Sequence, residues 1–155
     1  MVCMGNICRS PVAQGVLEAL LAGSPLAGRV EVDSAGTHAY HVGSPPDPRA
    51  RQVAADRGVQ LGAQRARKLE AEDFERFDYL IAMDEDNFEL LLELCPGEHL
   101  RPRLRLLMDF AKGSSNRSVP DPYYGSRLGF ERVFDMVEEA AAGLLTYLER
   151  EHFLR

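Results

Sequence analysis

The sequence predicts a single α/β domain, a parallel sheet with helices on both faces. Three observations predict it. A short apolar start, Met1-Val2, runs through Cys3-Met4-Gly5-Asn6-Ile7-Cys8-Arg9-Ser10-Pro11 straight into an apolar-periodic stretch. Farther on, Asp78-Tyr79-Leu80-Ile81-Ala82-Met83 is a near-continuous apolar run, the pattern of a strand buried on both faces. Strand-like and helix-like segments then alternate, with no repeat, linker or low-complexity tract. The 155 residues, 45% hydrophobic and 27% charged, suit one domain spanning residues 1–155.

The elements follow in order. Ser10 and Pro11 read as N-cap and first position of a helix. Val12, Val16, Leu17, Leu20 and Leu21 carry that helix to about Ala22, and Gly23-Ser24-Pro25 ends it. Arg29-Val30-Glu31-Val32-Asp33 alternates like a short strand. Residues 34–46, rich in Gly, Pro and Ser, predict a loop. Asp47-Pro48 opens a second helix, closed by Gly58, and a short helix covers Ala71 to Arg76. After the 78–83 strand, Asp84 caps a helix through Leu94, stopped by Cys95-Pro96-Gly97. Leu104 to Met108 predicts a strand and Lys112 to Gly125 a loop. The final helix, about Leu128 to Phe153, repeats Phe130, Val133, Phe134, Val137, Ala141, Leu144, Leu145 and Leu148. In a sheet of this class a ligand binds beyond the carboxyl ends of the strands, which is where Cys3 is delivered.

The loop after Val2 has the composition of an anion cup. A chain that curls around a phosphate aims successive N–H groups inward. The curl needs positive φ angles, which Gly5 takes freely and Asn6 tolerates. The helix behind it directs its positive dipole end at the same anion. Arg9 can grip two phosphate oxygens with its planar fork. Cys3, at the floor, meets the conditions that favour a thiolate: a helix N-terminus and a nearby cation. The spacing Cys-x5-Arg alone is weak; Cys-x-Gly-Asn-x-Cys-Arg-Ser-Pro opening a helix is strong.

Composition narrows the function classes. A formal net charge of −6 disfavours nucleic-acid and membrane-surface roles, so an anionic substrate needs local attraction. No apolar run approaches the ~20 residues of a membrane helix, and no secretory signal is expected. Three cysteines do not make a disulfide scaffold and fit a reducing cytoplasm. His38, His41, His99 and His152 lack a metal spacing, and His38 and His41 read as surface residues of a loop.

The segment from Cys3 to Pro11 resembles the phosphate loop of the low-molecular-weight protein tyrosine phosphatases. Asp121-Pro122-Tyr123-Tyr124-Gly125 resembles that family's second motif. Shorter similarities lie at 32–37, 42–47 and 77–84, so the resemblance spans nearly the whole chain. It implies a four-stranded sheet in the order 2-1-3-4. It also implies a first strand with several apolar residues ahead of the cysteine, where this chain has only Met1 and Val2. Either a longer native amino terminus or a sheet that tolerates a stub accounts for that.

The family chemistry carries over residue by residue. Cys3 attacks phosphorus to give a phosphocysteine. Arg9 and the loop amides stabilise the equatorial oxygens, with no cofactor and no metal required. Asp121, 118 positions after Cys3, protonates the leaving oxygen and then activates water. Its plainer role is an Asp-Pro turn starter. Met4, Gly5, Asn6, Ile7, Cys8 and Ser10 line the cup. Ser10 also donates to the Cys3 sulfur, and Asn6, Asp33 and Ser34 hold the loop open. Tyr40, Tyr123 and Tyr124 flank an aryl ring, unless Tyr123 and Tyr124 are ordinary loop aromatics. Relatives that act on phosphoarginine carry Thr where this chain has Ile7, which favours phosphotyrosine. Cys8 is either a partner in a reversible disulfide with Cys3 or a small buried hydrophobe; Cys95 looks structural. Gln64 stands where many relatives place a His that supports the loop asparagine, which leaves the support of Asn6 open. The implied partners are phosphotyrosine proteins, a bacterial tyrosine kinase among them, with inorganic phosphate as product and the chain a monomer. The competing readings are an arsenate reductase of the same fold, a non-catalytic phosphotyrosine-binding module, and a partner protein with a dead site.

Overall fold

The computed structural model describes residues 1–153. Its elements are β1 Val2–Cys3, α1 Arg9–Ala22, β2 Ala35–Gly36, α2 Pro48–Asp56, α3 Asp73–Arg76, β3 Leu80–Ala82, α4 Glu85–Leu94, β4 Leu104–Leu106 and α5 Arg127–Leu148. The sheet is four-stranded and parallel, in the order β2-β1-β3-β4. Both the class and the strand order agree with expectation.

Strand periodicity explains the two faces. Successive side chains point to opposite sides of a sheet. Val2, Leu80, Ala82, Leu104 and Leu106 pack in one core with Phe74, Leu91 and Leu100, on the α3–α4 face. Cys3, Ile81 and Met83 point the other way, into the larger core with residues of α1, α2 and α5. Cys3 is therefore held by the core on its own face, and β1 ends at the loop it introduces. No described helix is long and apolar enough to cross a membrane.

Three predicted strands differ. The 78–83 run is a strand only over Leu80–Ala82. Residues 29–33 join no ladder, and β2 is only Ala35–Gly36. The register explains this: Val2 pairs with Ala35, so residues 29–33 fall ahead of the paired segment and join no ladder. At that end the Met1 ammonium donates to the Asp33 carbonyl at 3.0 Å, and burial pulls it down to about 6. The predicted strand from Leu104 to Met108 stops at Leu106, and Leu107–Phe110 form a 3₁₀ turn. The long helix ends as α-helix at Leu148, and Glu149–Phe153 continue as a wider, π-type turn.

Candidate active site

Residues 4–8 connect β1 to α1 and form the cup. Its one left-handed non-glycine residue among those described is Asn6, at φ 58°. Gly5 was expected to share that conformation and does not. Its missing side chain serves space instead: a Cβ there would lie 3.0 Å from the His41 ring. The loop is pinned from outside by three backbone bonds: Thr37 N–H to the Cys3 carbonyl at 2.9 Å, His38 N–H to Met4 at 3.0 Å, and Asp47 N–H to Ile7 at 2.8 Å. Gly36 allows that approach, since a Cβ there would sit 2.8 Å from the Met4 carbonyl oxygen.

Cys3 is 2% exposed. Its Sγ accepts from the Asn6 N–H at 3.3 Å and lies 3.0 Å from Ser10 Oγ. Ser10 was expected at the N-cap, but α1 begins at Arg9 with Cys8 in the cap position. As the second residue of the helix, Ser10 aims its hydroxyl at the sulfur. Ser10 Oγ accepts from Asn6 Nδ2 at 2.8 Å, which leaves its own hydrogen for Cys3. Asn6 Nδ2 also donates to Ser34 Oγ at 2.9 Å, and Asn6 Oδ1 accepts from the Arg67 N–H at 3.0 Å. The loop asparagine is thus supported without Gln64, which donates to the Pro11 carbonyl at 3.0 Å while its own Oε1 lacks a partner. Asp33 acts one step removed, accepting from the Ser34 N–H at 2.8 Å and from Arg67 Nε at 3.2 Å. Asp73 takes the rest of the Arg67 fork, at 2.9 and 3.1 Å.

Arg9 is 2% exposed, and its fork is anchored from behind. Nη1 donates to Asp84 Oδ2 and, at 3.0 Å, to the Val119 carbonyl. Nη2 lies 3.8 Å from Asp121 Oδ2. Burial opposes the charge, but Cys3, Asp84 and Asp121 outweigh it and hold the guanidinium above its ordinary value. Asp84 does two jobs, since its other oxygen caps α4 by accepting from the Asn87 N–H at 2.7 Å. Sequence reasoning found only the cap. The pairing with Arg9, 75 positions away, is visible only in the fold. Asp84→Ala is therefore expected to destabilise the protein by about 3 kcal/mol, because it strips a buried cation of its main partner. Asp84→Asn, which keeps a capping oxygen, is expected to lose less. Urea unfolding decides this: an Ala variant within about 0.5 kcal/mol of wild type would place the anchor of Arg9 elsewhere.

Asp121 stands on the loop before α5, 44% exposed at its side chain. Its Oδ1 accepts from the Tyr123 N–H at 3.1 Å, a local turn that fixes the carboxylate. Arg49, absent from the sequence reading, holds this loop to α2. It donates to the carbonyls of Tyr123 at 2.9 Å and Gly125 at 3.1 Å, and to Asp47 at 3.0 and 3.1 Å. Because Asp47 is bonded to Ile7, this clasp joins the acid loop to the phosphate loop.

The walls agree with expectation only in part. Tyr123 is half-buried beside His41, with ring centroids 5.9 Å apart, and Tyr124 packs edge-on against it at 4.9 Å. His41 is thus part of this wall and not a free surface residue. Met4 is 43% exposed, but Ile7 is 8% exposed and packs in the core, so it offers little wall. Tyr40 is exposed and stacks on His38 at 5.2 Å, on the loop that braces Met4. Cys8 is a buried free thiol, pushed well above its ordinary value first by burial and then by Asp47 and Cys3.

This constellation can be compared with known proteins. The family model described as low molecular weight phosphotyrosine protein phosphatase matches residues 1–153. The chain belongs to that family. A low molecular weight protein-tyrosine-phosphatase of Streptomyces coelicolor is 41% identical, over 97% of this chain and 92% of that one. Among solved structures, the protein tyrosine phosphatase of Entamoeba histolytica with Hepes in the active site has a TM-score of 0.93 at 41% identity. It covers 97% of this chain and 95% of that one. Vibrio vulnificus Wzb in complex with benzylphosphonate has a TM-score of 0.81 at 29% identity, over 95% of this chain and 95% of that one. The family chain therefore carries its Cys-x5-Arg loop in a fold shared along almost its full length.

Proposed function

We propose that this chain is a protein-tyrosine phosphatase working through a phosphocysteine on Cys3. The observation that carries the proposal is the convergence of Cys3, Ser10, Arg9 and Asp121 on one cup, linked by contacts of 3.0 Å between Cys3 and Ser10 and 3.8 Å between Arg9 and Asp121. The phosphate of the substrate sits in the loop amides and the Arg9 fork. The Cys3 sulfur attacks phosphorus as the bond to the tyrosyl oxygen breaks, and Asp121 gives that oxygen its proton. Water then attacks the phosphocysteine, Asp121 takes a proton from it, and inorganic phosphate leaves. Charge stabilisation by pre-aimed donors supplies most of the acceleration.

The cup also supports the choice of substrate. A nucleophile on a residue only 2% exposed is reached by a phosphate on a long aryl arm and not by one on the short arm of serine. Met4, Tyr123 and Tyr124 supply surface for the ring, and Wzb, a structural relative, holds benzylphosphonate. The partners are phosphotyrosine proteins, which we extend to a bacterial tyrosine kinase, in a reducing cytoplasm that suits three free thiols. An arsenate reductase would need Cys95 in a relay, but Cys95 packs in the core across the sheet from Cys3 and Cys8.

The test is hydrolysis of a phosphotyrosine peptide in EDTA and a thiol reductant. Turnover at least about 100-fold faster than that of the phosphoserine analogue is expected. A folded protein without turnover would overturn the proposal.

A further inference from the structure

A groove of about 220 Å³ lies beside the phosphate cup, on the side of Met4. One wall is Met4, Thr37 and His38; the other is α4, which presents Asp86, Glu89 and Glu93. These three carboxylates fall at i, i+3 and i+7, hence on one helix face, where like charges repel. All three are exposed, and among the described residues none has an ion-pair partner, while Glu85 on the same helix is paired with Arg117 at 3.1 Å. The groove lining contains no lysine or arginine.

A second observation concerns Asn87, which also lines the groove and is 4% exposed. Its N–H is used by Asp84, but its Oδ1 is buried without any hydrogen-bond partner. A buried acceptor left unmet destabilises the free protein, and a donor that reached it from the groove would relieve it. Three unpaired carboxylates beside an unmet acceptor describe a site for a cation rich in donors. Guanidinium has five donors and no acceptor, and ammonium has three.

The position relates this groove to the substrate. Met4 follows Cys3 directly, and its carbonyl is bonded to His38 of the groove wall at 3.0 Å. A peptide with its phosphotyrosine in the cup crosses Met4 to leave it, and three extended residues reach about 10 Å. We propose that the groove is a subsite for a cationic side chain, arginine before lysine, within about three residues of the phosphotyrosine. This rests on the phosphotyrosine-peptide reading above.

The experiment compares kcat/KM for two phosphotyrosine peptides that differ only in a flanking arginine or its neutral isostere, citrulline. Their ratio on one enzyme cancels any change in the cup itself. Wild type is expected to favour arginine by about ten-fold, mainly through KM and less so at high salt. Glu89→Lys with Glu93→Lys is expected to reverse the preference, and the exposed Glu→Gln pair to reduce it. Equal values on wild type, or a preference that survives charge reversal, would overturn the subsite. p-Nitrophenyl phosphate, which has no flanking residues, separates the two readings. If it turns over while the peptides show no preference, only the subsite fails; if neither it nor the peptides turn over, the phosphatase reading fails and the subsite with it.

Discussion

Cys3→Ser is expected to lower phosphotyrosine turnover by ~10⁴-fold or more while leaving the fold and the anion cup in place. That is a loss of roughly 5.4 kcal/mol of transition-state stabilisation. The substitution exchanges sulfur for a smaller, far less acidic hydroxyl at a site 2% exposed. The Asn6 N–H and Ser10 Oγ, now 3.3 and 3.0 Å from sulfur, would still meet an oxygen there. What disappears is the nucleophile. Three readouts separate chemistry from structure: kcat on a phosphotyrosine peptide, the melting temperature, and its rise with added inorganic phosphate, since a bound ligand stabilises the native state. Normal melting and an intact phosphate response with no turnover is the expected set. Activity above about 1% of wild type would mean that another group attacks phosphorus.

That prediction rests on residues the sequence already displayed, and the reason is local. Cys3, Asn6, Arg9 and Ser10 lie within one turn and the helix it opens, so their spacing reports their geometry. The order 2-1-3-4 came through family resemblance, which carries long-range pairing that periodicity cannot. What stayed hidden is long-range or sterically defined. Asp84 reads as a helix cap because its local neighbours make it one; its bond to Arg9 spans 75 positions. Arg67, Asp73 and Arg49 look like surface charges until the fold places them behind Asn6 and the Asp121 loop. Gly5 suggested a positive φ, whereas the His41 ring is what excludes a side chain there. The alternating residues 29–33 had the pattern of a strand and lacked a partner to pair with. Pattern describes what a segment can do; pairing decides whether it does.

Asp121→Asn is expected to reduce turnover by ~10²–10⁴-fold, and the size of the effect should depend on the leaving group. Asparagine keeps an oxygen for the Tyr123 N–H, now bonded at 3.1 Å, so the turn before α5 survives. Arg49 continues to hold the loop through the Tyr123 and Gly125 carbonyls. The change therefore removes proton transfer while sparing position. In the first step a poor leaving group such as phenolate needs a proton, and 2,4-dinitrophenolate does not. Thus kcat/KM for phenyl phosphate should fall steeply and that for the dinitrophenyl ester only slightly. Hydrolysis of the phosphocysteine needs the same carboxylate as base, so kcat should fall for both esters by a similar factor. Equal losses of kcat/KM on the two esters would instead make Asp121 a positioning residue, acting on Arg9 Nη2 from 3.8 Å. The split between the two steps thus distinguishes a carboxylate that moves protons from one that merely orients the fork.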